Sequence, residues 1–125
     1  MRPDRFEKLV HEQLEICLNT LAAKGVEYAT VEDKLHNFVV AAALENTTLA
    51  AACSGMMVKH TVSIYDMIPD ALNWSPAIWD EKITDHINYL LLLKACLIQM
   101  QDQLPSEATP GSIRVPTREA YTHNA

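Results

Sequence analysis

Residues 76–103 most constrain what this chain can fold into. Ser75-Pro76 starts a helix that Leu104-Pro105 must end, and from Ile87 to Ile98 that helix is apolar on almost every face. In a chain of 125 residues such a helix sits at the centre of the domain, at an interface between copies, or both. We expect both. Its polar residues concentrate at the head, in Glu81-Lys82-Ile83-Thr84-Asp85-His86-Ile87-Asn88-Tyr89. Glu81, Asp85 and Asn88 recur at i, i+4 and i+7, so they share one face. Asp and Asn favour caps and turns over helix interiors, and their presence here points to a specific task.

The rest of the chain supplies three more helices and no convincing alternation of period two. The first opens at Asp4, with Glu7 as its capping-box partner, and carries Phe6, Leu9, Val10, Leu14, Ile16, Cys17 and Leu21 at helical spacing. Gly25 is expected to end it near Lys24. Thr30, with Asp33 three residues on, is the expected cap of a second helix that turns Leu35, Phe38, Val39, Ala42 and Ala43 inward. Asn46-Thr47-Thr48 precedes a third, running through Leu49, Ala52, Cys53, Met56, Met57, Ile64 and Met67 to Pro69. Gly55 inside it is expected to mark the close approach of another helix. The fold expected is all-α: a four-helix, bundle-like core over residues 1–104. Residues 105–125 hold three of the six prolines and no apolar period, so they read as an irregular C-terminal tail, disordered or packed on a neighbouring subunit. In the packed case Ile113, Val115 and Tyr121 are its anchors, and Arg114 and Arg118 reach a ligand or an acidic surface.

A net charge of −6 argues against duplex nucleic acid as the main partner, since phosphate binding draws on a Lys/Arg surplus. No apolar run approaches the ~18 residues a membrane span needs, and no signal or lipidation motif stands out, so a cytoplasmic chain is expected, in the host cytoplasm if phage-encoded. Cys17, Cys53 and Cys96 lie apart in apolar stretches and read as small core residues.

The third helix repeats the polar stripe of the fourth, with Lys59, Ser63 and Asp66 at the same spacing. Two such stripes on packed helices imply a polar pocket between them. Glu81, Asp85 and Asp66, with Glu27 or another early acid such as Glu32 or Asp33, would form an oxygen-rich cluster suited to Mg²⁺ or Mn²⁺. Against this, Glu81 also fits a solvated acid near a helix N-terminus, and Lys59 fits either a partner for Asp85 or Asp66 or a contact to ligand phosphate. Asn37, His36, Lys59, His60, Ser63, Asn88 and Tyr28 are the candidate ligand-binding residues, with Phe38 beside them to stack on a base. His11, His36, His60, His86 and His123 show no metal-ligand spacing, and no nucleophilic triad is apparent.

Four segments carry a resemblance: Lys24-x-x-Glu27-Tyr28-Ala29, Leu35-His36-Asn37-Phe38, Gly55-Met56-x-x-Lys59-His60-x-x-Ser63-Ile64-x-Asp66, and Glu81-Lys82-Ile83-x-Asp85-x-Ile87-Asn88-Tyr89-Leu90. Over about residues 5–100 the chain resembles a group of small helical proteins encoded by bacteriophages. More distantly it resembles the nucleotide-modification-associated domain and the MazG-like all-α nucleoside triphosphate pyrophosphatases. That resemblance implies a MazG-like bundle binding Mg²⁺ through helix carboxylates and releasing pyrophosphate. Glu81 and Asp85 would then be metal ligands, with Asp66 or Glu27 completing the set and Lys59 on phosphate. The chain departs from the pattern in two places. Lys59, Ser63 and Asp66 stand where an E-x-x-E pair is usual, and Glu81 and Asp85 are four apart instead of three.

Glu81, Asp85 and Lys59 would be the catalytic residues of a Mg-dependent pyrophosphohydrolase. The alternative is a non-catalytic binder of a nucleotide or signalling ligand, or of a host protein, acting against host defence. Either is expected as a homo-oligomer.

Overall fold

The computed structural model describes residues 1–28 and 33–105, with the side chains of 25–28 excepted. Within them lie four α-helices and no strand: α1 (Pro3–Tyr28), α2 (His36–Glu45), α3 (Leu49–Met67) and α4 (Pro76–Asp102), with a short 3₁₀ segment, Ile68–Asn73, between the last two. The all-α, four-helix expectation holds. No single helix among the described residues is long and apolar enough to cross a membrane.

Local chemistry sets most boundaries. Asn46 ends α2 in the left-handed region (φ 51°, ψ 53°), which Asn tolerates better than most residues. Its N–H donates to the Ala43 carbonyl (3.3 Å) and that of Thr47 to the Ala42 carbonyl (2.9 Å), closing a Schellman-type end. Thr48 then caps α3 by accepting from the Ala51 N–H at 3.1 Å. Ser75 caps α4 by accepting from the Ile78 N–H at 3.3 Å, with Pro76 following it. The indole of Trp79 donates to the Ala71 carbonyl at 2.8 Å and ties the 3₁₀ segment back onto α4.

Three local expectations need correction. α1 does not stop at Gly25 but continues to Tyr28. A glycine inside a helix costs only about 1 kcal/mol relative to alanine, and a long helix absorbs that. α2 begins at His36 without a side-chain cap. Asp33 instead accepts from the Leu35 N–H at 2.9 Å in a preceding turn, while Thr30 lies outside the described residues. Gly55 faces open space, since a β-carbon there would meet nothing within 4 Å. It marks no close approach among the described residues.

α4 is central. Thr61 of α3 meets His86, and His60 approaches Asp85 and Tyr89, while Cys53 meets Cys96 nearer the start of α3; numbers rise on one helix as they fall on the other, so the two are antiparallel. On α1, Gln13 meets Thr84, Cys17 meets Asn88 and Lys24 meets Asp85, so α1 crosses α4 over the turn from Thr84 to Asn88. The buried apolar cluster joins Leu35 and Phe38 of the α2 region to Cys53 and Cys96, with Met56, Tyr89, Leu92 and Leu93 packed around it. All three cysteines are free and buried. Of the apolar stripe read on α1, Cys17 is buried, while Phe6, Leu9, Leu14 and Ile16 are exposed.

Candidate functional site

The four helices line a half-open cavity of about 670 Å³. α1 contributes Leu21, Ala22 and Lys24, and α2 with its lead-in turn contributes Lys34, Asn37 and Phe38. α3 adds Met56, Lys59 and His60, and α4 adds Asp85, Asn88, Tyr89 and Leu92. Helical spacing accounts for the last set: Asp85, Asn88, Tyr89 and Leu92 at i, i+3, i+4 and i+7 form the face that α4 turns toward α1 and α3. The cavity is thus apolar along Phe38, Met56, Tyr89 and Leu92 and cationic at Lys24, Lys34 and Lys59.

Asp85 is the charged centre. Its side chain is 14% exposed, and its Oδ1 accepts from the Lys24 Nζ at 3.1 Å. Its Oδ2 lies 3.9 Å from His60 Nδ1, too long for a hydrogen bond. Burial holds the His60 pKa below its ordinary value; Asp85 pulls it up, and Lys59, Lys24 and Lys82 push it down. The ring is neutral at pH 7, so its contact with Asp85 is not an ion pair there. His60 lies against Tyr89 with ring centroids 4.6 Å apart, and Phe38 meets the same tyrosine edge-on at 6.3 Å. Burial, reinforced by Cys53, raises the Tyr89 phenol above its usual range, with Lys24 opposing and Asp85 adding to the rise. Tyr89 is therefore a protonated hydroxyl at neutral pH.

Asn88 is 5% exposed. Its Nδ2 donates to the Cys17 carbonyl of α1 at 3.3 Å, but its Oδ1 has no partner among the described residues. A buried acceptor left unpaired costs about 1–3 kcal/mol, the kind of expense native structures concentrate at functional places.

The expected site residues divide into groups. Asn37, Lys59, His60, Asp85 and Asn88 converge on the cavity. Glu81 lines a smaller neighbouring cavity of about 400 Å³ instead, with Asp80, Thr84 and the shared pair Lys24 and Asp85. His36 and Asp66 are exposed and off the cavity wall, and the Ser63 hydroxyl donates back to the Lys59 carbonyl at 2.9 Å. The side chains of Glu27 and Tyr28, and the whole of Glu32, Arg114 and Arg118, lie outside the described residues. Of the two readings of Lys59, the partnership with Asp85 or Asp66 is not made: Lys24 takes Asp85, and Lys59 makes no ion pair among the described residues. His86 spends its Nε2 on the Thr61 hydroxyl at 2.9 Å.

Lys24, Lys34 and Tyr89 were missed as site residues. Lys24 and Tyr89 sit in the resemblance segments, which was a usable signal, whereas nothing in the sequence around Lys34 distinguishes it from a surface lysine. Among the described residues no three of His, Cys, Asp and Glu come together in a way that could hold a metal ion.

The fold and cavity define an all-α, four-helix chain with a cation-lined, partly aromatic pocket between its helices. Compared with protein families, curated proteins and solved structures, the chain matches none.

Proposed function

We propose that this chain is a nucleotide-handling protein of MazG-like cast, working as an oligomer, whose larger cavity binds a phosphate-bearing, ring-containing small molecule without turning it over. One observation carries the reading: Lys24, Lys34 and Lys59 share a cavity of about 670 Å³ with Phe38, Tyr89 and His60. That volume lies within the ~300–1,000 Å³ of small-molecule sites. The ammonium groups meet the phosphate, and the apolar side beside Tyr89 receives the base. Asn37 and the Tyr89 hydroxyl supply neutral hydrogen bonds. The phage resemblance extends the role to sequestering a nucleotide signal from a host defence.

Calorimetry with linear and cyclic nucleotides tests this. A charge-assisted contact is worth about 1.5–3 kcal/mol, so Lys34→Ala or Lys59→Ala weakens binding on the order of ten-fold or more. Flat titrations across the panel would sink the proposal.

Metal-dependent pyrophosphohydrolysis is the second reading, favoured by Asp80, Glu81 and Asp85 on the smaller cavity beside Lys24. Asp80, Glu81 and Asp85 would be the residues to hold a Mg²⁺ ion, which would supply polarisation of phosphate and activation of water. Pyrophosphate release that needs Mg²⁺ and disappears in Asp85→Ala would favour hydrolysis over binding alone.

A further inference from the structure

We propose that the outer face of α4 pairs two copies of this chain as an antiparallel dimer. Ile83, Leu90 and Leu97 recur every seven residues on α4 and are 38%, 49% and 52% exposed, and Leu104, just beyond its end, continues the count at 45%. Ile87, Lys94 and Gln101 fall between them, so the steps alternate four and three, the rhythm of a two-stranded coiled-coil seam. Leu91 and Ile98, at 46% and 50% exposure, widen the stripe.

At 100° per residue this stripe points away from the rest of the chain. α1 holds α4 at Thr84 and Asn88, and α3 holds it at Asp85, His86, Tyr89 and Cys96. His86 and Thr84 flank the stripe on its two edges, while Asp85, Asn88, Tyr89 and Cys96 lie on the other side of the helix, as does the cavity, so a partner centred on the seam leaves the cavity open. The exposed Leu and Ile side chains present on the order of 500 Å² per copy, close to the roughly 600–800 Å² per partner that specific interfaces bury. A patch of that size is at the upper end of what a monomer exposes and often serves as a contact surface.

The occupant that fits is a second copy. A face with this repeat matches a helix of the same pitch, and a two-fold axis lets one stripe cover both. Lys94 sets the direction. Parallel pairing would oppose two Lys94 ammonium groups, whereas antiparallel pairing rests each Lys94 stem on the partner's Leu90 and each Ile87 on the partner's Leu97.

Sedimentation equilibrium of the full chain at micromolar concentration is expected to give twice the 14.0 kDa chain mass. The double variant Leu90→Glu/Leu97→Glu is expected to sediment as a monomer with an unchanged far-UV circular dichroism spectrum. Cross-linking offers a gentler second reading that keeps the fold. Native thiols are buried, so an equimolar mixture of Ile87→Cys and Leu97→Cys chains is expected to form a mixed disulfide that neither variant forms alone. A monomeric full chain would overturn the proposal, including the case in which residues 106–125 cover the seam. So would a dimer indifferent to both glutamates, and ready self-cross-linking of Leu97→Cys would overturn the antiparallel geometry.

Discussion

α4 is gripped differently on its two sides. Against α3 it is held mostly by apolar packing: Phe38, Cys53 and Cys96 are buried, and Met56, Leu92 and Leu93 pack round them. Against α1 it is held by polar contacts, the Gln13 amide on the Thr84 hydroxyl (2.8 Å), Asn88 on the Cys17 carbonyl (3.3 Å) and Lys24 on Asp85 (3.1 Å). Dispersion and burial are non-directional and tolerate little loss of volume. Hydrogen bonds and ion pairs are directional and exchange readily with water or ligand. The first side builds the scaffold. The second makes α1 the wall of the cavity most able to answer a bound anion.

The largest expected effect lies on the apolar side. Phe38→Ala removes a 6%-exposed ring from the cluster and should cost about 3–5 kcal/mol, read as a drop in the global denaturation midpoint. A loss near zero would show that the cluster is not the scaffold. On the polar side, Gln13→Ala takes the partner from Thr84, 3% exposed, and should cost about 1–2 kcal/mol. Hydrogen exchange is expected to locate that loss in α1 and spare α3; equal acceleration in both helices would erase the contrast drawn above.

A smaller effect comes from pH. The unfolded His60 titrates near its ordinary value of 6.5 and the folded one below it, so the unfolded chain binds more protons in between. This contribution to stability is full above 6.5 and is lost as pH falls through the lowered folded pKa. The melting temperature of the native chain should therefore fall more between pH 7.5 and acid than that of His60→Gln, and parallel curves would remove the histidine from the account. Protonation in the same range adds a cation to the cavity and is expected to tighten phosphate binding. The smallest effect on stability is that of Lys24→Met, under about 1 kcal/mol, because its side chain is 53% exposed and the Asp85 contact is screened. Nucleotide affinity should fall much further than stability in that variant, the reverse of Phe38→Ala.

Much of this was legible before any tertiary contact was known. Ser75-Pro76 and Thr48 act as the caps their residue types predict, because capping is settled within a few residues of chain. Of the paired stripes on α3 and α4, Lys59, Asp85 and Asn88 line one cavity. Ser63 and Asp66 share the helical spacing of Lys59, yet neither lines the cavity, because spacing fixes a face but not what faces it. Lys34 carried no local signal at all. The start of α2 was misplaced because Asp33 serves a turn before the helix instead of its first residues.

By itself, then, the sequence determined the helices and the apolar, heptad-spaced length of α4, because period, caps and propensity act over a few residues. Only the tertiary structure decided that Asp85 belongs to Lys24 and not to Lys59, that Glu81 looks into a different cavity, and that Asn88 is buried with an oxygen unpaired among the described residues. These outcomes depend on the crossing of α1 over α4, a relation between residues some seventy positions apart that no local pattern encodes.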